Sequence, residues 1–148
     1  DIQRMPKNPR EEFGNPAFYP YLTVCTTSTH DMGGIRQWWE ENRDKTQRFF
    51  NYMLGEGGAA PAFAEPWICE KIVDSNLKSP AMLCILPLQD WLSIDGRLRR
   101  ADPRKEQINV PANSRHYWRY RMHLTLEDLL GEELFNKRVA SLVESSGR

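Results

Sequence analysis

Residues 26 to 41 read TTSTHDMGGIRQWWEE, which sets an adjacent His30 and Asp31 between small hydroxyl residues and a Gly-Gly step. In a βα unit, residues at the carboxyl end of the strand face the crevice where ligands bind. A carboxylate there supports developing positive charge or grips hydroxyls, and a neighbouring imidazole donates a hydrogen bond. The competing reading makes Asp31 the cap of a helix starting near Gly34, with His30 a satisfied turn residue. On these residues alone the cap is the preferred reading. A second stretch, HYWRYRMH (116–123), interleaves aromatic rings with Arg119 and Arg121. Stacking with cationic charge suits single-stranded nucleic acid or carbohydrate, whereas an aromatic cluster packed on the body with ion-paired arginines is the plainer alternative. RLRRADPRK (97–105) is basic but diluted by Asp95, Asp102 and Glu106, and reads as a solvated loop. In LQDWL (88–92), Gln89 and Asp90 are read as a lock on a strand-to-loop turn rather than as ligand contacts. No GxSxG, phosphate loop, HExxH or Cys–His pairing occurs, and nothing local marks two carboxylates as a glycosidase pair.

The elements that must position these residues follow from periodicity. Residues 1–20 read as a connecting loop, because Pro6, Pro9, Pro16 and Pro20 prevent long regular structure. YLTVCTT (21–27) is β-branched and apolar, hence a strand. Ile35, Trp38, Trp39, Phe49, Phe50 and Met53 fit one long amphipathic helix from Gly34 to Leu54, ended by GEGGAAP. A helix over 65–77 follows, with Pro66 in its first turn and Trp67, Ile68, Ile72 and Val73 as core candidates. Ala81 to Leu86 is apolar without alternation, as in a parallel strand covered on both faces, and the strand is taken to span 81–92. Residues 93–122 form a long polar loop. Helices over 125–145 start at a capping-type TLED and carry Phe135, Val139 and Leu142 at helical spacing. The order implies an α/β fold with βα units and a parallel sheet. Two strands leave edges unpaired and cannot cover both apolar faces, so the chain is expected to belong to a larger sheet. Its proline-punctuated opening, DIQRMPKNPREEFGNP, reads as an internal connection within a longer protein.

Composition narrows the classes. The chain has 148 residues, one domain's worth, with 20 basic and 20 acidic residues. Zero net charge gives no general argument for nucleic acid or an anionic membrane. No apolar run approaches the roughly 20 residues of a membrane helix, and the opening residues do not read as a signal-peptide pattern. Cys25, Cys69 and Cys84 are odd in number and fit neither a zinc site nor a disulfide framework. They read as buried, inert thiols in a reducing, cytoplasmic compartment.

Taken together, CTTSTHDMGGIRQWWEE, PAMLCILPLQDWLSI and INVPANSRHYWRYRMHLTLEDLL resemble the last part of 4-α-glucanotransferases, the amylomaltase or disproportionating-enzyme family. IQRMP and RFF fit the branch that holds the cytosolic plant disproportionating enzyme and bacterial relatives. The resemblance covers nearly the whole chain through three ordered motifs. It implies a helix-rich α/β fragment carrying the last two βα units of a (β/α)8 TIM barrel, with 21–54 as strand seven and its helix and 81–92 as strand eight. It also implies retaining double displacement on α-1,4-glucans and maltooligosaccharides, with a sugar hydroxyl as acceptor. The family's third carboxylate, which stabilises the oxocarbenium-like transition state, falls on Asp31, and His30 is its sugar-binding neighbour. The family's Asn-x-Pro-Gly and Trp-x-Trp-Arg elements are met by Asn109, Pro111, Trp118 and Arg121, with Ala112 for the glycine and Tyr120 for the second aromatic. Asn109 is thereby a candidate sugar contact. The nucleophile and acid/base lie on earlier strands in the family, so no residue here takes either role and the chain alone is expected to be inactive. No metal or organic cofactor is implied, and the expected partners are glucans and the rest of the barrel, not nucleic acid or a membrane. The rival reading is a carbohydrate-binding module without chemistry.

Overall fold

The computed structural model describes all residues from Asp1 to Arg148. Two short parallel strands, β1 (Val24–Cys25) and β2 (Leu83–Cys84), pair with Val24 opposite Leu83 and Cys25 opposite Cys84. Backbone bonds continue the pairing slightly beyond both strands, from Met82 N to Tyr21 O and from Ile85 N to Cys25 O. Ile2 bridges Thr26 on the other side of β1, so the amino-terminal arm docks there. The sequence anticipates longer strands, over 21–27 and 81–92. The second is cut short at Pro87, which stands at the head of a helix, α4 (Leu88–Leu92), so LQDWL is helical. Proline's fixed φ and missing N–H suit a helix start and end a ladder.

The expected long helix is two. Asn42 leaves helical geometry (φ −145°, ψ 102°) between α1 (Ile35–Glu41) and α2 (Arg43–Tyr52). Its side chain accepts the Lys45 backbone N–H at 2.9 Å, so it caps the second helix as it ends the first. α3 (Pro66–Leu77) follows. α5 (Leu126–Gly131) starts with a reciprocal Thr125–Asp128 capping box, and α6 (Glu133–Ser145) completes the order. Helix predominates in an α/β arrangement.

The core lies between the helices rather than on the strands. Ile35, Trp39, Phe49, Phe50, Ile68, Ile72 and Val73 are buried there with Phe135 of α6. Trp38, Trp39, Phe49 and Phe50 meet edge to face, with Phe13 of the arm closing the cluster at 5.0 Å from Phe49. Trp67, expected in the core, is 42% exposed because it sits on the outer side of α3. The strands' apolar side chains Val24, Leu83 and Ile85 are also exposed. Cys69 fits an inert thiol, its pKa pushed up to about 11 by burial. Cys25 is fully buried as well, while Cys84 is only partly covered. The two lie opposite one another across the strands, where hydrogen bonding from Cys84, then Ser79, lowers the Cys25 pKa and the same pairing raises that of Cys84.

Candidate functional site

β1 runs out into the segment Thr26–Gly34, which carries His30 and Asp31 and enters α1 directly. Its path is fixed by a buried carboxylate. Asp90, only 2% exposed on α4, accepts the Thr27 and Ser28 hydroxyls on Oδ2, both at 2.6 Å. Its Oδ1 accepts the Ile35 N–H at 2.9 Å, in the first turn of α1. The cap of α1 is therefore Asp90, 55 positions away in sequence, and not Asp31. The reading of Asp90 as a lock holds for a different joint: it clamps the loop after β1. A Cβ on Gly34 would stand 2.8 Å from Asp90 Oδ1, so this close approach requires glycine.

A buried cation holds the same loop through its backbone carbonyls. Arg4, 6% exposed, donates to the carbonyls of Thr27 at 3.0 Å and Gly33 at 2.9 Å. Burial lowers its pKa, and the charges of Asp90 and Glu41 oppose that shift. Sequence reasoning does not single out Arg4 as a support of the site; its one signal is IQRMP, a motif inside what otherwise reads as a polar loop.

The second half of the site comes from the loop after α4. Buried Arg36 of α1 donates to Glu106 Oε1 at 3.1 Å and to the Arg100 carbonyl at 2.7 Å. Glu106 sits in a short 3-10 turn, Pro103–Glu106, capped by Asp102. Burial raises its pKa, opposed by Arg36 and by the Arg100 backbone N–H. Gln37 reaches Gln107 at 2.8 Å, and Gln107 donates to the Asn109 carbonyl at 2.9 Å. One helix, α1, thus sets the position of both loops.

The loops meet at Asn109. Its backbone N–H donates to the His30 carbonyl at 2.9 Å, and its side-chain amide donates to Asp31 Oδ1 at 2.6 Å. His30 Nε2 stands 3.4 Å from the same oxygen. The Asp31 and His30 side chains are 50% and 55% exposed. The structure therefore brings together His30, Asp31 and Asn109. It adds Trp118, whose ring centre lies 5.3 Å from the His30 ring. Trp118 and Tyr117 are exposed, whereas Tyr120 lies partly covered against the Arg100 guanidinium. The chemistry on offer is a fixed, solvent-facing carboxylate flanked by an amide, an imidazole and aromatic faces. That set suits a polyhydroxylated ligand, with the carboxylate accepting hydroxyl hydrogen bonds and the rings meeting apolar sugar faces. No group of three or more His, Cys, Asp or Glu side chains is placed to hold a metal ion.

A family model described as 4-alpha-glucanotransferase matches residues 1–126. The chain is 40% identical over 147 residues to 4-alpha-glucanotransferase DPE2 of Oryza sativa subsp. japonica, covering 99% of this chain and 16% of the rice protein. It is 27% identical over 145 residues to the 4-alpha-glucanotransferase of Chlamydia trachomatis serovar D, covering 94% of this chain and 27% of that protein. It thus spans about a sixth to a quarter of these relatives' lengths. Among solved structures, an amylomaltase from Streptococcus agalactiae in complex with acarbose superposes with a TM-score of 0.65 at 22% identity. That superposition covers 90% of this chain and 23% of the amylomaltase, and it shows a shared fold. A family match over residues 1–126, with motifs that fold into one site, means that the chain belongs to the 4-alpha-glucanotransferase family.

Proposed function

We propose that this chain is the C-terminal part of a 4-α-glucanotransferase, contributing the last two βα units of a (β/α)8 barrel. In this reading the full protein moves α-1,4-glucan segments or glucosyl units between chains by retaining double displacement. The observation that carries it is Asp31. It is half-exposed beyond the carboxyl end of β1, and Asn109 fixes one of its oxygens. Asp31 Oδ2 accepts no hydrogen bond from the chain and is left for a sugar hydroxyl. A preorganised anion of this kind stabilises positive charge developing at an anomeric carbon without reorganising during the reaction. His30 and Asn109 contact the sugar and orient the carboxylate. Retention needs a nucleophile and an acid/base about 5 to 5.5 Å apart, and both are assigned to the remainder of the barrel. The exposed Val24, Leu83 and Ile85 support the same view, since a completed sheet would cover them. No cofactor or metal enters this chemistry, and no helix is long and apolar enough to cross a membrane. The proposed compartment is the cytoplasm, consistent with three free thiols.

A second reading, a carbohydrate-binding module without chemistry, is favoured by one observation: Tyr117 and Trp118 are 73% and 58% exposed. The full-length protein separates the two. Incubated with maltotriose, a transferase releases glucose and builds longer maltodextrins, and Asp31→Asn lowers the rate by about 100-fold or more. Maltotriose binding without products would establish the module. Near-normal turnover of Asp31→Asn would remove Asp31 from the mechanism.

A further inference from the structure

Beside the candidate sugar site, the loop between α4 and α5 folds into a groove of about 520 Å³ with a charge unlike the rest of the chain. Arg100, Lys105, Arg115, Arg119 and Arg121 line it, together with His116, and no carboxylate does. The chain as a whole is neutral, so this is a local separation of charge. The acidic residues of the same region are engaged elsewhere. Glu106 is held by Arg36, Asp95 and Glu132 by Arg97, and Asp102 faces Arg104. Lys105, Arg115, Arg119 and Arg121 are left without an ion-pair partner. The guanidinium planes of Arg100 and Arg119 are braced by Tyr120 and Tyr117, at 5.7 and 5.8 Å from the ring centres. Arg100 Nε is buried with no acceptor.

The groove borders the site already described. Gln107, Ile108 and Asn113 also line it, and between them stands Asn109, which holds Asp31. His116 of the groove bonds the Ile108 carbonyl at 2.9 Å, and Trp118, in the same stretch, reaches His30. A ligand that spans both regions is a polyol at one end and an anion at the other. Arginine forks match phosphate oxygens, and a phosphate monoester carries close to two negative charges near neutral pH.

We propose that this groove binds a phosphate monoester carried on an α-glucan chain, making phosphorylated maltooligosaccharides a preferred ligand class. The proposal rests on the reading of the chain as part of a glucan transferase. The anion engages Lys105, Arg115 and the neighbouring arginines while the neutral sugar units lie toward His30, Asp31 and Asn109. Lys105 and Arg115 are exposed, and their side chains make no hydrogen bond within the chain, so replacing them leaves the fold intact.

The test uses the full-length protein and two probes, maltotetraose and maltotetraose bearing one 6-phosphate. Calorimetric binding and transfer kinetics are followed over a salt series. The phosphorylated probe is expected to bind at least roughly tenfold more tightly at low salt, with the preference shrinking as salt screens it. In Lys105→Gln/Arg115→Gln the preference disappears, while binding and transfer of neutral maltotetraose are unchanged. Equal affinity for both probes in the wild type, or a preference that survives the double substitution, overturns the proposal. A single-stranded oligonucleotide that binds more tightly than the phosphorylated glucan also overturns it, in favour of a nucleic-acid groove. If neutral maltotetraose is never transferred but the phosphate-dependent preference is present and lost in the variant, the transferase reading fails and the anion site stands. Normal transfer with no preference gives the reverse result.

Discussion

Removing the carboxylate of Asp90 is the perturbation that most directly tests how the site is held. In Asp90→Ala, the Thr27 and Ser28 hydroxyls and the Ile35 N–H lose their common acceptor, at 2.6, 2.6 and 2.9 Å. Hydrogen bonds to a charged group contribute about 1.5–3 kcal/mol each, but the three are not additive, because freed hydroxyls rotate and water enters the gap. The variant also removes a negative charge whose field partly offsets the burial of Arg4. A total near 4 kcal/mol follows, concentrated on the segment 27–35. Asp90→Asn keeps an acceptor for Ile35 and forfeits the charge, so about half that loss is expected. The measurement is hydrogen exchange on peptides covering 27–37, which reports local opening of this segment directly, with transfer kinetics of the full-length protein alongside. The Ile35 amide should lose protection in Asp90→Ala. The maltotriose transfer rate should drop about 100-fold, through kcat more than KM, since a misplacement of about 1 Å suffices for that loss. Unchanged exchange together with unchanged kcat would refute the clamp.

Two further outcomes are expected. Asn109→Ala should lower kcat by about 10-fold or more while thermal stability stays nearly constant, because it releases an exposed 2.6 Å hydrogen bond on Asp31; a loss of stability without a kinetic effect would make Asn109 a loop brace only. Glu106 has its folded-state pKa raised above the ordinary 4.5 by burial, so the native state holds that proton more tightly than the unfolded state. Its contribution is fully present below the unfolded value and is lost as pH rises through the folded value. Glu106→Gln should therefore gain in melting temperature relative to wild type as pH is raised from about 4.5 upward, and a constant difference across pH would contradict the assignment.

How far the sequence reveals this site depends on the distance over which each contact acts. Local signals read well. Pro66 heads α3, Thr125 and Asp128 form the capping box, and the Ile35–Trp39 spacing marks the buried face of α1. The break at Asn42 was present too. Between Trp39 and Phe49 no apolar residue recurs, and the intervening ENRDKTQR offers an N-capping asparagine that the apolar spacing alone overrides. Strand ends were harder, because ladder length depends on neighbouring strands and not on the β-propensity of YLTVCTT or AMLCIL. The site itself joins residues 78 positions apart in Asp31 and Asn109, and 55 to 63 apart in Asp90 and the segment it clamps. No periodicity encodes such pairs. Family motifs carried His30, Asp31 and Asn109, but not the mechanical roles of Arg4, Arg36 and Glu106.

Burial separates these two sets of residues by physical role. Arg4, Arg36, Asp90 and Glu106 are each under 8% exposed, whereas Asp31 and His30 are about half-exposed. A buried charge is costly unless every lone pair and proton is engaged, and replacement by apolar residues of like size often leaves a fold no less stable. Stability alone therefore does not account for four buried charges around two loops. Position does. Arg4 and Asp90 grip Thr27, Ser28 and the Gly33–Ile35 turn, one through carbonyls and the other through hydroxyls and an N–H, and Arg36 and Glu106 pin the loop that delivers Asn109. Apolar packing tolerates sliding, while a directional bond to a loop carbonyl or hydroxyl does not. In the role proposed for Asp31, a carboxylate works best when its orientation is settled beforehand, since reorientation during the reaction subtracts from the stabilisation it gives. The buried charges hold the loops so that Asp31 remains open to solvent and fixed in direction.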